Sequence, residues 1–192
     1  MATDGERRRE LAEAATDYVL DHGLIELSLR PLAAALGTSD RMLLYHFDGK
    51  DDLVAAVLHT SNERSIAHLR SLPAVPSVRE AVLALWRASS DGGQLERCQR
   101  LYVEAAALGL FGREPWAGVV RDANRAWLQA LADWLVSAGC RAELAPRAAN
   151  LLDAALMGLH LDLPLERGTD ALDGSVVDLA GAVATIAGQG SA

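Results

Sequence analysis

The chain has 192 residues, of which 51% are hydrophobic and 23% are charged, and its formal net charge is −8. This composition can bury a core, which excludes a disordered chain, and the acidic balance excludes a generally basic coat for nucleic acid while a local basic patch stays open. No apolar run approaches the ~20 residues of a bilayer span, so we expect no membrane segment. Cys98 and Cys140 form neither a disulfide framework nor a zinc-binding set, and a cytoplasmic location is expected.

The first two predicted helices are bounded by capping and turn residues. A capping-box pattern from Thr3 to Glu6 starts the first helix, whose apolar residues recur at steps of three and four until Gly23 ends it. Ser28 is placed to cap a short second helix, which Gly37 ends in turn. Leucines and alanines of this second helix face inward in the predicted pattern.

A third helix is predicted directly after the turn at Gly37. Thr38 or Ser39 caps it, and it reaches Phe47 before Asp48 starts a long fourth helix. Two short helices around a glycine turn are typical of a helix-turn-helix, in which the second helix reads the major groove of DNA. A generic helical hairpin has the same pattern, and the motif alone leaves both interpretations open.

Helical spacing continues to the end of the chain beyond a linker-like stretch at residues 73–76. The absence of strand-period alternation predicts an all-α protein. Pro164, together with several glycines, is expected to separate these helices. The five further helices are predicted at about 77–90, 95–111, 114–138, 143–163 and 171–187.

The segment from Gly23 to Leu53 contains the string Gly23, Leu27-Ser28-Leu29-Arg30, Leu32-Ala33-Ala34-Ala35-Leu36-Gly37, Ser39, Tyr45-His46-Phe47, and Lys50 with Leu53. With this string, residues 7–58 resemble the DNA-binding domain of the tetracycline-repressor (TetR) family of bacterial transcription regulators. The resemblance implies an N-terminal three-helix helix-turn-helix domain over residues 1–58, with its recognition helix at about 39–47. It further implies a helical ligand-binding and dimerisation domain over residues 59–192.

Two kinds of DNA contact are expected from these positions. By the resemblance, Ser28, Tyr45, His46 and Lys50 hold backbone phosphates, and Ser39 lies at a helix start where free N–H groups favour anions. The groove-facing candidates are Arg30, Asp40, Arg41 and Met42, since arginine pairs with guanine and methionine contacts the thymine methyl. Arg41 and Met42 stand where the family often has Gly and Thr, so no operator sequence can be transferred from a relative. Arg7, Arg8 and Arg9 form either a minor-groove arm or a solvated helix start.

The rest of the chain is expected to bind an apolar or aromatic effector and to form a homodimer. The resemblance implies a ligand-responsive body, and a pocket between helices is a common ligand site. A simple structural core is the alternative interpretation of these side chains. The candidate pocket residues are Trp86, Tyr102, Phe111, Trp116, Trp127, Trp134, Met157 and His160.

The last two long helices carry wide apolar arcs, which predict a four-helix dimer interface with a second copy. A two-fold dimer of this kind places two recognition helices on successive major grooves. Closure of the protein's own core is the alternative. The interface candidates are Leu152, Leu156, Leu159, Leu179, Val183 and Ile186.

No catalytic, metal-binding or cofactor-binding pattern is found in the sequence. The five histidines have no metal-ligand spacing, and neither a phosphate-binding glycine loop nor a nucleophile elbow occurs. We therefore predict a ligand-responsive repressor that binds an operator in double-stranded DNA and is not an enzyme. The alternative is a helical small-molecule carrier or interaction protein that has lost DNA binding. Residues 1–58 favour this alternative, because they carry six Lys or Arg against eleven Asp or Glu.

Overall fold

The computed structural model describes residues 4–110, 116–166 and 170–189, and these residues form helices with no strand among them. The predicted all-α class is therefore confirmed. The predictions that involve Thr3 and Phe111 lie outside the described residues. The helices are α1 Asp4–His22, α2 Leu29–Ala35, α3 Asp40–His46, α4 Gly49–Ser71, α5 Val78–Ser90, α6 Gln94–Leu110, α7 Trp116–Ser137, α8 Ala145–Glu166 and α9 Ala171–Ala184, and a π-helical turn follows at Thr185–Gln189.

The described residues form two compact units, each with its own apolar core. The first unit contains residues 4–64 with the described part of 97–124, and the second contains 65–96 with the described part of 125–192. The division falls inside α4, α6 and α7. The domain boundary after residue 58 stays a prediction.

The core of the first unit joins α1, α2, α3 and the start of α4. Leu32 of α2, Leu43 of α3 and Leu53 of α4 are fully buried there, and Leu101 of α6 packs into the same core. The apolar faces predicted for the short helices therefore meet one another. Since a seven-residue helix is unstable alone, this packing is what holds α2 and α3 in place.

The core of the second unit is built on α5, α8 and α9. α9 packs against both α5 and α8, and Leu85, Leu152 and Val183 have no more than 1% of their surface exposed. Gln189, in the final turn, closes this unit through its side chain. Its Oε1 accepts from the Val78 N–H at 2.8 Å, and its Nε2 donates to the Ala138 carbonyl at 3.0 Å.

One predicted helix end is wrong. Pro164 was expected to separate the last two helices, but it lies inside α8, which continues to Glu166. A proline in the last turn of a helix removes a single backbone hydrogen bond, so two more residues can follow it in helical conformation. No helix within the described residues is both long and apolar enough to cross a membrane.

Candidate DNA-binding surface

The turn between α2 and α3 is held by two backbone hydrogen bonds that require a left-handed glycine. Gly37 has φ +66°, its N–H donates to the Ala34 carbonyl at 3.1 Å, and the Thr38 N–H donates to the Ala33 carbonyl at 2.9 Å. This pair of bonds is the Schellman motif, which ends α2 and turns the chain toward α3. The Ser39 hydroxyl then accepts from the Met42 N–H at 3.1 Å. Ser39, rather than Thr38, is therefore the cap of α3.

The third helix buries one face and presents the other. Leu43 and Phe47 are 0% and 2% exposed, whereas Tyr45 is 75% exposed. The guanidinium of Arg41 makes no hydrogen bond or ion pair among the described residues. The outward side chains line one open surface depression; they are Asp40, Arg41, Met42, Leu44 and Tyr45. The structure therefore brings together on one surface the groove-facing candidates of α3.

The second helix contributes two of the expected DNA-binding side chains, Ser28 and Arg30, and both are exposed. Ser28 holds the N-cap position of α2 in extended backbone conformation, but its hydroxyl makes no capping bond. The hydroxyl is thus available to an external acceptor such as a phosphate oxygen.

Two of the expected phosphate contacts have intramolecular partners. The Lys50 ammonium donates to the Leu27 carbonyl at the entry to α2. The His46 side chain is 12% exposed, and its Nδ1 lies 2.9 Å from a carboxylate oxygen of Asp4. Both side chains therefore help to hold α2 and α3, and a phosphate role for either one stays a prediction.

Arg8 ties three helices of the first unit together. Its two terminal nitrogens contact both carboxylate oxygens of Asp52 at 2.8 and 2.9 Å, and Nη1 also donates to the His46 carbonyl at 2.7 Å. The guanidinium carbon lies 4.5 Å from the centre of the Phe47 ring. We call Arg8, Asp52 and the His46 carbonyl the Arg8 clamp. Because it bridges α1, the end of α3 and the start of α4, it fixes the orientation of α3.

The charges of the Arg8 clamp stabilise each other. The hydrogen bond from Arg8 lowers the pKa of Asp52, helped by the Asp48 N–H at 2.9 Å, and the same pairing raises the pKa of Arg8. The sequence allowed Arg8 to be a minor-groove arm or a solvated residue. Neither interpretation includes Asp52, since nothing in the local pattern marks a partner 44 positions away.

We expect Arg8→Ala to lower the free energy of unfolding by about 1–2 kcal/mol, because both partners are partly exposed and three hydrogen bonds to a charged group are lost. Arg7→Ala is the matched control, since among the described residues Arg7 pairs only with the exposed Glu10 on its own helix. That control should stay within about 0.5 kcal/mol of the unmodified protein. Urea unfolding followed by circular dichroism measures both variants.

The pH dependence of Asp52→Asn tests the same clamp. The folded-state pKa of Asp52 is lowered, so its stabilisation is present above the unfolded value near 4 and disappears as the pH falls through the folded value. The stability difference between Asp52→Asn and the unmodified protein should therefore shrink as the pH falls below about 4. A difference that is constant with pH would contradict the clamp.

Glu104 of α6 holds the loop between α1 and α2. Its Oε2 accepts from the N–H groups of Leu24 and Ile25 at 2.7 and 3.0 Å. Gly23, at φ +82°, turns the chain toward this carboxylate, and a Cβ there would lie 3.4 Å from Glu104 Oε1. The glycine that ends α1 thus also places two backbone donors against α6. Sequence analysis missed Glu104, because the contact spans 80 positions.

The expected effector-binding side chains are divided between the two units. Tyr102 and Trp116 belong to the first unit, and the other described candidates belong to the second. In the second unit the Trp86 and His160 rings pack with centroids 5.3 Å apart. Trp134 is only 9% exposed and packs in the apolar core, so it fits the structural alternative better than a pocket wall.

Trp127 and His160 also make polar contacts inside the second unit. The Trp127 indole N–H donates to Asp153 at 2.8 Å. The two ring nitrogens of His160 lie 2.6 Å from the Leu156 carbonyl and 2.9 Å from the Ser89 carbonyl. Asp153 was not identified from the sequence, because a lone carboxylate in an apolar helical pattern looks like a surface charge. Among the described residues no cluster of histidine, cysteine, aspartate or glutamate could hold a metal ion.

Half of the expected interface residues are core residues. Leu152, Leu156 and Val183 are 0%, 6% and 0% exposed within the single chain. They cannot also form a large contact with a second copy, because their surface is already covered. Leu159, Leu179 and Ile186 are partly buried against the same core. The large apolar side chains that are exposed on the described part of α8 and α9 are Leu151, Leu161, Leu165 and Val177.

A helix-turn-helix whose second helix presents arginine, methionine and tyrosine outward is the arrangement found in helix-turn-helix DNA-binding proteins. The family model for bacterial regulatory proteins of the tetR family matches residues 11–57. The predicted resemblance to that family is thus confirmed over residues 11–57, which include α2 and α3. No curated protein matches the chain.

Solved structures share the fold over nearly the whole chain. A transcriptional regulator from Rhodococcus sp. Rha1 has a TM-score of 0.72 and 24% identity, and covers 92% of this chain and 95% of its own. The multidrug binding protein EbrR complexed with imidazole has a TM-score of 0.64 and 25% identity, over 93% and 95%. A protein from Saccharomonospora viridis in complex with choline has a TM-score of 0.63 and 22% identity, over 91% and 95%. The chain therefore has the fold of a tetR-family transcriptional regulator.

Proposed function

We propose that the protein is a homodimeric repressor that leaves its operator when a small effector binds the helical body. The observation that carries this proposal is the outward face of α3. Arg41, Met42 and Tyr45 are exposed there, while the N-terminus of the same helix is capped and its opposite face is buried. Side chains that read the groove need both exposure and a rigid support, because ordering a mobile helix on binding would cost conformational entropy and weaken the complex.

The effector part of the proposal rests on the body. Relatives with the same fold have been solved with choline and with imidazole, which supports a small-molecule site in the body of this chain. An effector lowers DNA affinity only if it prefers the conformation that binds DNA poorly. Typical coupling of 1–3 kcal/mol corresponds to roughly 5- to 150-fold in affinity.

Selection from a random DNA duplex library tests DNA binding and supplies the operator. We expect an enriched palindromic sequence, since a two-fold dimer places two recognition helices about 34–36 Å apart on straight B-DNA. Recovery of the same sequence from the DNA that flanks the gene would support repression of a neighbouring gene. A library without enrichment would contradict the proposal and favour the carrier alternative, to which the acidic balance of residues 1–58 points.

Arg41→Ala separates base readout from general attraction to DNA. Loss of a bidentate contact to guanine should cost about 1–3 kcal/mol on the selected operator and little on scrambled duplex. Arg87→Ala, which removes the same charge from an exposed position of α5, is the matched control and should change both affinities little. Fluorescence anisotropy across a salt series measures all three proteins. Equal losses on operator and scrambled DNA would make Arg41 a phosphate contact instead.

A further inference from the structure

Asp153 is a carboxylate held inside the helical body. It lies on α8 and is mostly covered by the second unit, and its Oδ1 accepts the Trp127 indole N–H at 2.8 Å. Burial raises the pKa of Asp153, while the Trp127 hydrogen bond and the charge of His160 act in the opposite direction. The carboxylate therefore lies where ionisation is costly, next to one neutral donor.

The second oxygen of Asp153 is left open. Oδ2 has no hydrogen-bond partner among the described residues, and within them every fully buried side-chain polar atom has one. Oδ2 therefore keeps accessible surface. No lysine or arginine of the described residues pairs with it.

The Trp127 indole and an immobilised histidine are the neighbours that act on this carboxylate. The Trp127 indole contacts it directly, and His160 lies two turns further along α8 with the Trp86 ring packed against it. His160 is close enough to act on Asp153 electrostatically. However, both of its ring nitrogens face backbone carbonyls, so the ring is anchored to Leu156 and Ser89 rather than to Asp153.

A structural role does not require a carboxylate at this position. An asparagine would accept the same Trp127 hydrogen bond without the cost of a buried charge. A mostly covered carboxylate with an open oxygen and an indole beside it is a candidate ligand contact. A carboxylate with an open oxygen and an indole beside it is complementary to a positively charged organic group, because the carboxylate neutralises the charge and the ring contacts the organic substituents.

We propose that Asp153 and Trp127 form the subsite for an organic ammonium group of the effector. The remaining, apolar part of such an effector contacts the apolar helices of the body. This inference names the ligand class of the proposed effector site and therefore rests on the proposed function.

Calorimetric titrations with two cations and one neutral compound test the subsite. The cations are tetramethylammonium and phenyltrimethylammonium, and tert-butylbenzene is the neutral isostere of the second. We expect saturable binding of both cations, and tighter binding of phenyltrimethylammonium than of tert-butylbenzene. Asp153→Asn should weaken binding of the cations at least tenfold and leave tert-butylbenzene unchanged. Asp133→Asn, which removes an exposed carboxylate of α7 that contacts Gln129, is the control and should change nothing.

The folded state of Asp153→Asn is checked separately. Because the folded-state pKa of Asp153 is raised, ionisation of this carboxylate lowers the free energy of unfolding of the protein as the pH rises above the unfolded pKa. Asparagine does not titrate, so the variant should unfold at a higher temperature than the unmodified protein at neutral pH. Weaker cation binding by a variant that is at least as stable supports a direct contact.

The proposal is overturned if neither cation binds saturably, if Asp153→Asn binds them as well as the unmodified protein does, or if the neutral isostere binds as tightly as the cation. Operator affinity measured on the same samples separates this outcome from failure of the proposed function. If tert-butylbenzene releases operator DNA and neither cation does, the proposed repressor function is supported and the ammonium subsite is rejected. If the cations bind but the protein selects no DNA sequence from the library, the subsite is supported and the proposed repressor function is rejected.

Discussion

Phe47→Ala should unfold the helix-turn-helix, with a loss of about 3–5 kcal/mol in the free energy of unfolding. Phe47 is 2% exposed at the end of α3, between the core of the first unit and the Arg8 guanidinium. Removal of the ring leaves a cavity and takes away the surface on which Arg8 packs. Circular dichroism in a urea series measures the loss, and DNA binding should disappear with the fold.

Tyr45→Ala is the matched control, since it removes an aromatic ring from the same helix only two residues away. Tyr45 is 75% exposed, so its removal should change stability by no more than about 0.5 kcal/mol. If Tyr45 contacts DNA, operator affinity falls while the protein stays folded. The two variants therefore distinguish a residue that stabilises the fold from a residue that contacts DNA on the same helix. A stable Phe47→Ala protein, or an unfolded Tyr45→Ala protein, would contradict the orientation of α3.

Leu161→Glu should convert a dimer into a folded monomer. Leu161 and Leu165 are 57% and 80% exposed on α8, so a charge there costs the single chain little. In an interface between two copies, an unpaired buried charge costs on the order of 3–5 kcal/mol. Sedimentation velocity at micromolar concentration measures the change in mass. Operator affinity should fall with it, because a monomer presents one recognition helix to a two-site operator.

Two further variants control for this experiment. Leu110→Glu makes the same substitution at an 86% exposed position of α6 and should leave the dimer intact. Val183→Glu places the charge at a fully buried position of α9 and should unfold the second unit rather than produce a monomer. A sharp monomer peak for the unmodified protein would reject the interface on α8 and α9, as would a dimer of Leu161→Glu.

The sequence by itself determined the helical class, the order of the elements and the helix-turn-helix. These features depend on local signals: capping residues such as Ser39, left-handed glycines such as Gly23 and Gly37, and apolar residues at helical spacing. Such signals act over a few positions, so they can be recognised without knowledge of the fold. They also predicted which side of α3 faces inward, because Leu43 and Phe47 are four positions apart.

Only the tertiary structure decided which charged and apolar side chains have partners. The Arg8 clamp, the Glu104 contact with the α1–α2 loop and the Trp127 bond to Asp153 join positions 26 to 80 residues apart. The same holds for Leu152 and Val183, which the helical pattern predicted as interface residues and which are buried in the core of the single chain. Helical periodicity shows that one face of a helix is buried. Which element covers that face depends on packing between helices that are distant in the chain, and the local pattern does not contain this information.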